Sequence, residues 1–465
     1  MSAGAAVALF AGMLLATPGA AQAAVSLPCD IYAAAGTPCV AAHSTVRALY
    51  AAYNGPLYQV KRASDSTTLN IGTLTAGGYA DAAAQNTFCA GTTCIITEIY
   101  DQSPEHNNLT IEGPGQHGGQ DVGANAEALP VTVGGHSVYG VYVSAGVGYR
   151  DDSTKGVATG GEPQGAYMVA SGTHVNNKCC FDYGNAETDN HANGDGHMDA
   201  VNFSTECWFS PCAGSGPWVQ ADLENGLFAG ANGSDTNNKG NSSAFVTALV
   251  KNNGQTTYAI KGGNAQSGGL TTWYNGALPT GYAPMHQEGA IVLGTGGDNS
   301  NGSVGSFFEG VMTSGYPTDA ADNAVQANIV SAGYGGFTGP IHAVGSGKCL
   351  DVTGASQAEG TSAEIWDCNG ATNQTWTQTA SGQLTVYGGT KCLDAYGQGT
   401  GSGTKVDIWD CNGGTNQQWK INSNGTITGV QSGLCLDVTG ASTADGADID
   451  LWTCNGQSNQ QWTLG

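Results

Sequence analysis

The sequence predicts an all-β protein in two parts, a strand-rich sandwich followed by a closed threefold repeat. Three observations carry this. The 465 residues include 73 Gly and only 13 Lys and Arg, with Thr, Ser and Asn frequent, a mix suited to short strands and many turns. Short β-prone runs recur between turn signals upstream of residue 332. One set of motifs then returns at a fixed spacing of 43 residues.

The elements follow in chain order. Residues 1–24, MSAGAAVALFAGMLLATPGAAQAA, are apolar and then small. The apolar run is too short to span a bilayer, and Ala21-Gln22-Ala23 fits an A-x-A cleavage site, although a basic n-region is missing. The segment reads as a signal peptide, so the mature chain is expected outside the cell. Upstream strands are expected at 94–100 (CIITEIY), 137–143 (SVYGVYV), 166–170 (AYMVA) and 290–293 (AIVL). Residues 318–332 read as a helix with acidic residues in its opening turn. The glycine-rich GYGGFTG at 333–339 looks like a joint, giving one domain over 25–335 and a second over 336–465.

The formal charge of −24 comes from 37 acidic and 13 basic side chains. It argues against a nucleic-acid partner, where cations must displace counterions, and against an anionic membrane surface. Fourteen Cys in an exported chain imply disulfides. Six lie in the repeats, and Cys349–Cys368, Cys392–Cys411 and Cys435–Cys454 would each close one 19-residue loop. Upstream, Cys29–Cys39, Cys89–Cys94 and Cys207–Cys212 bracket short turns. Cys179 and Cys180 are then left as neighbours. Either they bond to each other in a strained ring, or each pairs elsewhere, for example with Cys207 and Cys212.

In the repeats, Cys349-Leu350-Asp351 recurs as Cys392-Leu393-Asp394 and Cys435-Leu436-Asp437. Trp366, Trp409 and Trp452 precede the second cysteine of each repeat, and Q-x-W motifs follow. No repeat can bury its own apolar face, so the three should close around a shared core, with the Trp of each Q-x-W inside it. This segment resembles the ricin-type β-trefoil, carbohydrate-binding module family 13. A sugar needs acceptors for vicinal hydroxyls and an aromatic face for its C–H side. The resemblance implies three such sites: Asp351, Trp366, Asn373 and Gln374; Asp394, Trp409, Asn416 and Gln417; Asp437, Trp452, Asn459 and Gln460. Each Gln also has a turn-holding role open to it. Three weak sites on one polymer would give avidity.

Chemistry is expected upstream. In Ala221-Asp222-Leu223-Glu224-Asn225-Gly226, a strand would put Asp222 and Glu224 on one face before an Asn-Gly turn. Asp298 lies in a glycine-rich stretch, 294–302, directly after 290–293. Glycosidic cleavage needs one ionised and one protonated carboxyl flanking the bond. Glu98, Asp101, Asp182, Glu187, Glu288 and Glu309 are rival acids.

Residues 27–332 resemble the glycoside hydrolase family 54 α-L-arabinofuranosidases through LPCDIYAAAGTPCVAAHSTVRALY, GPLYQVKRASD, CCFDYGNAET, GSGPWVQADLENGLF, GGNAQSG, GTGGDNSN and FFEGVMTSGYPTDAADNAVQANIV. The resemblance implies a catalytic β-sandwich of jelly-roll, concanavalin-like form and exo-acting hydrolysis with retention. It places Glu224 on the nucleophile and Asp298 on the acid/base. Asp222, Asn225, Gly226 and Gly297 fall on arabinose-holding positions, and a Cys179–Cys180 bond is implied at the pocket. The Cys207/Cys212 loop departs from the family pattern and brings Trp208 or Phe209 toward the sugar. The C-terminal module also differs from the arabinose-binding one expected in this family.

The expected partner is plant cell-wall polysaccharide, arabinoxylan or arabinan, and a monomer is expected. No cofactor or metal is expected, since no phosphate loop, dinucleotide fingerprint or Ser-His-Asp elbow is present. Two alternatives stand beside this reading: a secreted lectin or adhesin without catalysis, and a metal enzyme using His191, His197 and the acids of 189–199.

Overall fold

The computed structural model describes residue 1 and residues 26–335, 337–379, 382–422 and 425–464. The expected signal peptide, beyond its first residue, lies outside the described residues, and so does residue 336 within the glycine-rich joint.

Two sheets build the upstream part. In the first, Gly305–Ser314 and Gln164–Ser171 form the centre, flanked by Cys39–Ser44 on one side and by Phe245–Asn252, Thr257–Asn264 and Thr271–Ala277 on the other. The second runs from the short strand Leu227–Phe228 through Trp218–Asp222, Asp199–Ser204, Asp182–Ala186, Ala290–Leu293 and Tyr149–Asp151 to Thr68–Gly72 at its far edge. Every strand pairing within these sheets is antiparallel. Their facing sides share one core that includes Tyr167, Tyr183, Phe203, Tyr258 and Phe307. This is the expected sandwich.

Of the expected strands, 290–293 matches Ala290–Leu293, and 94–100 and 166–170 appear as Cys94–Ile99 and Gln164–Ser171. The run 137–143 divides into His136–Tyr139 and Val141–Val143, which belong to different pairings. The break is Gly140, where a methyl group would press on Leu129 and Phe308. The expected helix is Asp319–Ser331, capped by Thr318, whose Oγ accepts from Ala321 N at 3.2 Å. Its Asp319 and Asp322 both pair with Lys251 and Lys261 of the first sheet. Two shorter helices, Pro28–Ala34 and Ala82–Cys89, were not anticipated.

The downstream residues close around their own core. Trp376, Trp419 and Trp462 are buried there and donate Nε1–H to Leu350, Leu393 and Leu436 carbonyls at 2.8, 2.9 and 3.0 Å. The three repeats therefore make the same anchor three times. All seven expected disulfides are present, including Cys179–Cys180.

Candidate active site

A cleft of about 430 Å³ opens at the end of the second sheet, lined by Asp222, Glu224, Asn225, Gly226, Gly297 and Asp298. Cys179 and Cys180 form part of its wall. All eight upstream residues expected at the site thus meet in one place.

The local fold explains how. Trp218–Asp222 and Leu227–Phe228 pair as a hairpin, with Ala221 opposite Phe228 and Asp222 opposite Leu227. The strand ends at Asp222, and the turn is centred on Glu224 and Asn225, with φ of 63° and 54°. The sequence expectation put Asp222 and Glu224 on one strand face before an Asn225-Gly226 turn. The observed register moves the turn one residue earlier. Two successive left-handed residues other than glycine are costly, and such strain persists where surroundings hold it. Here Tyr282 donates its hydroxyl to the Glu224 carbonyl at 2.8 Å, Asn225 Nδ2 donates to Asp195 at 2.9 Å, and Leu223 is fully buried. Glu224 N–H also donates to Asp222 Oδ1 at 3.2 Å.

Asp298 sits on the loop after Ala290–Leu293, gripped from two sides. Ser300 donates both N–H and Oγ–H to Asp298 Oδ1, at 3.0 and 2.6 Å. His117 Nδ1 lies 2.5 Å from Oδ2. Buried Arg150 donates to the Gly297 carbonyl at 2.9 Å and also to the Glu187 carbonyl, tying this loop to the neighbouring strand. Gly297 leaves no room for a side chain, because a methyl group there would overlap Glu187 Oε2.

Two of the rival acids belong to the same cluster. Asp182 accepts from Asn202 Nδ2 at 2.6 Å and faces Asp222. Burial raises the Asp182 carboxyl to about 7, opposed by hydrogen bonds from Asn202 and Asp222 and reinforced by the charges of Glu224 and Asp298; burial also drives Asp222 well above the carboxylate range, with the charges of Asp182 and Glu224 adding to it. Glu187 is raised to about 9, by burial first and then by Glu224. Glu224 is itself raised by burial, opposed by a hydrogen bond from Glu187 and reinforced by the charge of Asp298.

The other rivals have structural partners. Asp101 accepts from the main-chain N–H groups of Ala42, Ser103 and Asn107. Glu309 pairs with Arg47 in the core, and Glu98 accepts from Asn108. Glu288 binds His197, Thr188 and Asn193. The segment 189–199 forms no group of three metal ligands among the described residues. In the extra loop, Trp208 lines the cleft and is half exposed, whereas Phe209 turns inward against Phe228, ring centroids 4.8 Å apart. His117, Ser300, Arg150 and Tyr282 were not anticipated.

In the repeats, Asn373 and Gln374 both donate to Asp351 Oδ2 at 2.8 Å. The pattern recurs at Asp394 with Asn416 and Gln417, and at Asp437 with Asn459 and Gln460. Each Gln spends its remaining capacity internally. Gln374, for example, donates to the Asp367 carbonyl and accepts from Asn369 N–H. The Gln residues thus orient the Asp rather than face outward. Trp366, Trp409 and Trp452 are exposed. Opposite each Asp across the ladder stands a second acid: Glu364, Asp407 and Asp450.

A sandwich whose edge gathers buried carboxyls around a small cleft, joined to three repeats that each pair a buried Asp with an exposed Trp, defines a glycoside hydrolase with an attached sugar-binding unit. The chain belongs to the α-L-arabinofuranosidase B family: residues 28–335 match the model described as "Alpha-L-arabinofuranosidase B, catalytic". Residues 337–462 match the ricin-type β-trefoil lectin domain. The chain is 55% identical over 341 residues to the α-L-arabinofuranosidase B of Aspergillus oryzae, covering 70% of this chain and 67% of that one. It is 56% identical over 342 residues to a probable α-L-arabinofuranosidase B of Aspergillus fumigatus, covering 71% of this chain and 67% of that one. Among solved structures, an arabinofuranosidase complexed with arabinofuranosyl-α-1,2-xylobiose is similar at 36% identity and a TM-score of 0.65, covering 94% of this chain and 98% of that one. A family 54 α-L-arabinofuranosidase soaked with a cyclic sulfate inhibitor matches equally well, at 36% identity and 0.65, covering 94% of this chain and 99% of that one.

Proposed function

We propose that this α-L-arabinofuranosidase is exo-acting and retaining, with Glu224 as nucleophile and Asp298 as acid/base, and that it releases terminal arabinofuranose from arabinoxylan or arabinan. The observation that carries the reading is the convergence of Glu224 and Asp298 on one cleft beside Cys179–Cys180. Glu224 attacks the anomeric carbon while Asp298 donates its proton to the leaving oxygen. A glycosyl-enzyme forms, and Asp298 then takes a proton from the water that releases the sugar.

The surroundings suit these roles. Ser300 and His117 hold both oxygens of Asp298, so its orientation survives the change of protonation between the steps. The turn at Glu224 lifts its carboxyl off the strand and into the cleft. Asp222, Asn225, Gly226 and Gly297 bound the space a furanose would fill, and Trp208 offers an aromatic face at its edge.

Residues 25–335 carry the chemistry in this reading and 336–465 hold the polymer, through Asp351, Asp394 and Asp437 with Trp366, Trp409 and Trp452. Residues 1–24 direct export, consistent with seven disulfides and with the absence, among the described residues, of a helix long and apolar enough to cross a membrane. The enzyme acts as a monomer without cofactor or metal.

The test is release of p-nitrophenol from p-nitrophenyl α-L-arabinofuranoside by wild type and Glu224→Gln, with the anomer of the first product read by NMR. Turnover with an α-furanose product in the wild type, lost in the variant, is expected. Full activity in Glu224→Gln or an inverted product would reject the assignment.

A further inference from the structure

Glu187 follows the strand Asp182–Ala186, is fully buried, and has no role in the displacement described above. Neither of its carboxyl oxygens receives a hydrogen bond from an N–H or O–H of another residue. A buried ionised carboxylate without donors is costly. Yet the group is pressed against Gly297, which lines the same cleft as Glu224, and burial first and then the neighbouring Glu224 raise its carboxyl to about 9. A buried carboxyl with no donor of its own is kept as the acid, and two neighbouring carboxyls can hydrogen-bond only when one of them keeps its proton.

We propose that Glu187 is a positioning residue for the arabinofuranosidase reaction: it keeps its proton and donates it to the carboxylate of Glu224, holding the nucleophile ionised and aimed into the cleft. The inference rests on the proposed nucleophile assignment. Glu187 is the more enclosed of the two, so the proton belongs there; Glu224 borders the cleft and retains some contact with solvent. The bond works in one direction only. It stabilises charge on Glu224 before attack and weakens as that charge passes into the glycosyl-enzyme bond. It also constrains a side chain whose backbone already sits in a left-handed turn.

Other titratable groups face the pair. Asp222 and Asp182 approach from the sheet, Asp298 and His117 from the facing loops, and Tyr282 from below the turn. Asp182, Asp222 and Asp298 disfavour charge on Glu224, and His117 favours it when protonated. Arg150 donates to the main-chain carbonyl of Glu187 rather than to its carboxyl, so it fixes the backbone without removing the proton.

The experiment compares Glu187→Gln and Glu187→Leu with wild type in the full chain, reading kcat/KM against pH on the aryl arabinofuranoside. An amide keeps a donor facing Glu224, so Glu187→Gln should stay within a few-fold of wild type with the acid limb in place. Glu187→Leu removes the donor. It should lose roughly 10- to 100-fold and move the acid limb up by about one pH unit, because Glu224 then protonates more readily. Equal losses in both variants, or an unmoved acid limb in Glu187→Leu, would overturn the proposal.

Should Glu187→Leu not fold, infrared difference spectra of wild type and Glu187→Gln near neutral pH decide it. Loss of one protonated-carboxyl band supports the proton on Glu187, and loss of an ionised-carboxylate band refutes it. Labelling the wild type with a cyclic sulfate inhibitor, followed by peptide mapping, keeps the two readings apart. A label on Glu224 with unmoved pH limbs sinks only the role of Glu187, whereas a label elsewhere sinks the nucleophile assignment as well.

Discussion

Replacing Asp407 by Asn should stabilise the protein at neutral pH and leave it unchanged in acid. Asp407 is only 3% exposed, and neither of its oxygens receives a hydrogen bond from another residue. Burial, with Asp394 directly across the ladder, raises its carboxyl from 3.8 to about 7. The folded chain therefore keeps this proton up to about pH 7, while the unfolded chain releases it near 4. Between those values the folded state binds more protons, so stability falls as pH rises and is level on either side. At about 1.4 kcal/mol per pH unit, the ceiling on the loss is ~4 kcal/mol. The polarity of the surrounding protein screens part of this, leaving about 2 kcal/mol, or roughly 6 °C in melting temperature for a unit of this size. An Asn has no charge to bury. Calorimetric melts of wild type and Asp407→Asn at about pH 3.5 and pH 8 should coincide at the first and separate at the second, with the variant higher. A difference of the same size at both values, or a variant less stable at pH 8, would refute the argument.

Ser300→Ala removes a 2.6 Å hydroxyl bond to Asp298, so kcat/KM on the aryl substrate should fall about 10- to 100-fold with the melting temperature nearly unchanged. Glu309→Ala strands the buried Arg47, which pairs with it at 2.5 Å, and also removes the acceptor for the Tyr334 hydroxyl at 2.6 Å. Chemical denaturation should report a loss of about 3–5 kcal/mol. Replacing Trp366, Trp409 and Trp452 together by Ala should release the protein from insoluble arabinoxylan in a pull-down, and each single change should have a smaller effect, as expected of three weak sites on one polymer.

The parts of this architecture that repeat were the parts legible in the sequence. The 43-residue period places Asp351, Asp394 and Asp437 with the Trp and Cys of each repeat, because identical local geometry recurs at identical spacing. Upstream, periodicity says less. Strands such as Asp182–Ala186 and Trp218–Asp222 are buried on both faces, which erases the alternation that marks a half-exposed strand. The turn at Glu224 was misread for a related reason: Asn-Gly is the stronger local signal, but the hairpin register outweighs it. His117 reaches Asp298 across 181 residues from a stretch of Gly and Gln with no pattern of its own, so only the folded chain brings it there. Glu187 was one of several acids without distinction. Its difference is an environment, not a motif.

The bridges have a bearing on how the molecule is made. Each of the seven joins a cysteine to the next one along the chain, and the widest spans only 19 residues. A nascent chain entering an oxidising compartment can therefore complete each link as soon as its second thiol appears. No cysteine has to stay reduced until a distant partner is synthesised. Halted after any bridge, the emerging polypeptide carries no orphan thiol, and the order of translation itself selects one pairing among the many that fourteen cysteines allow.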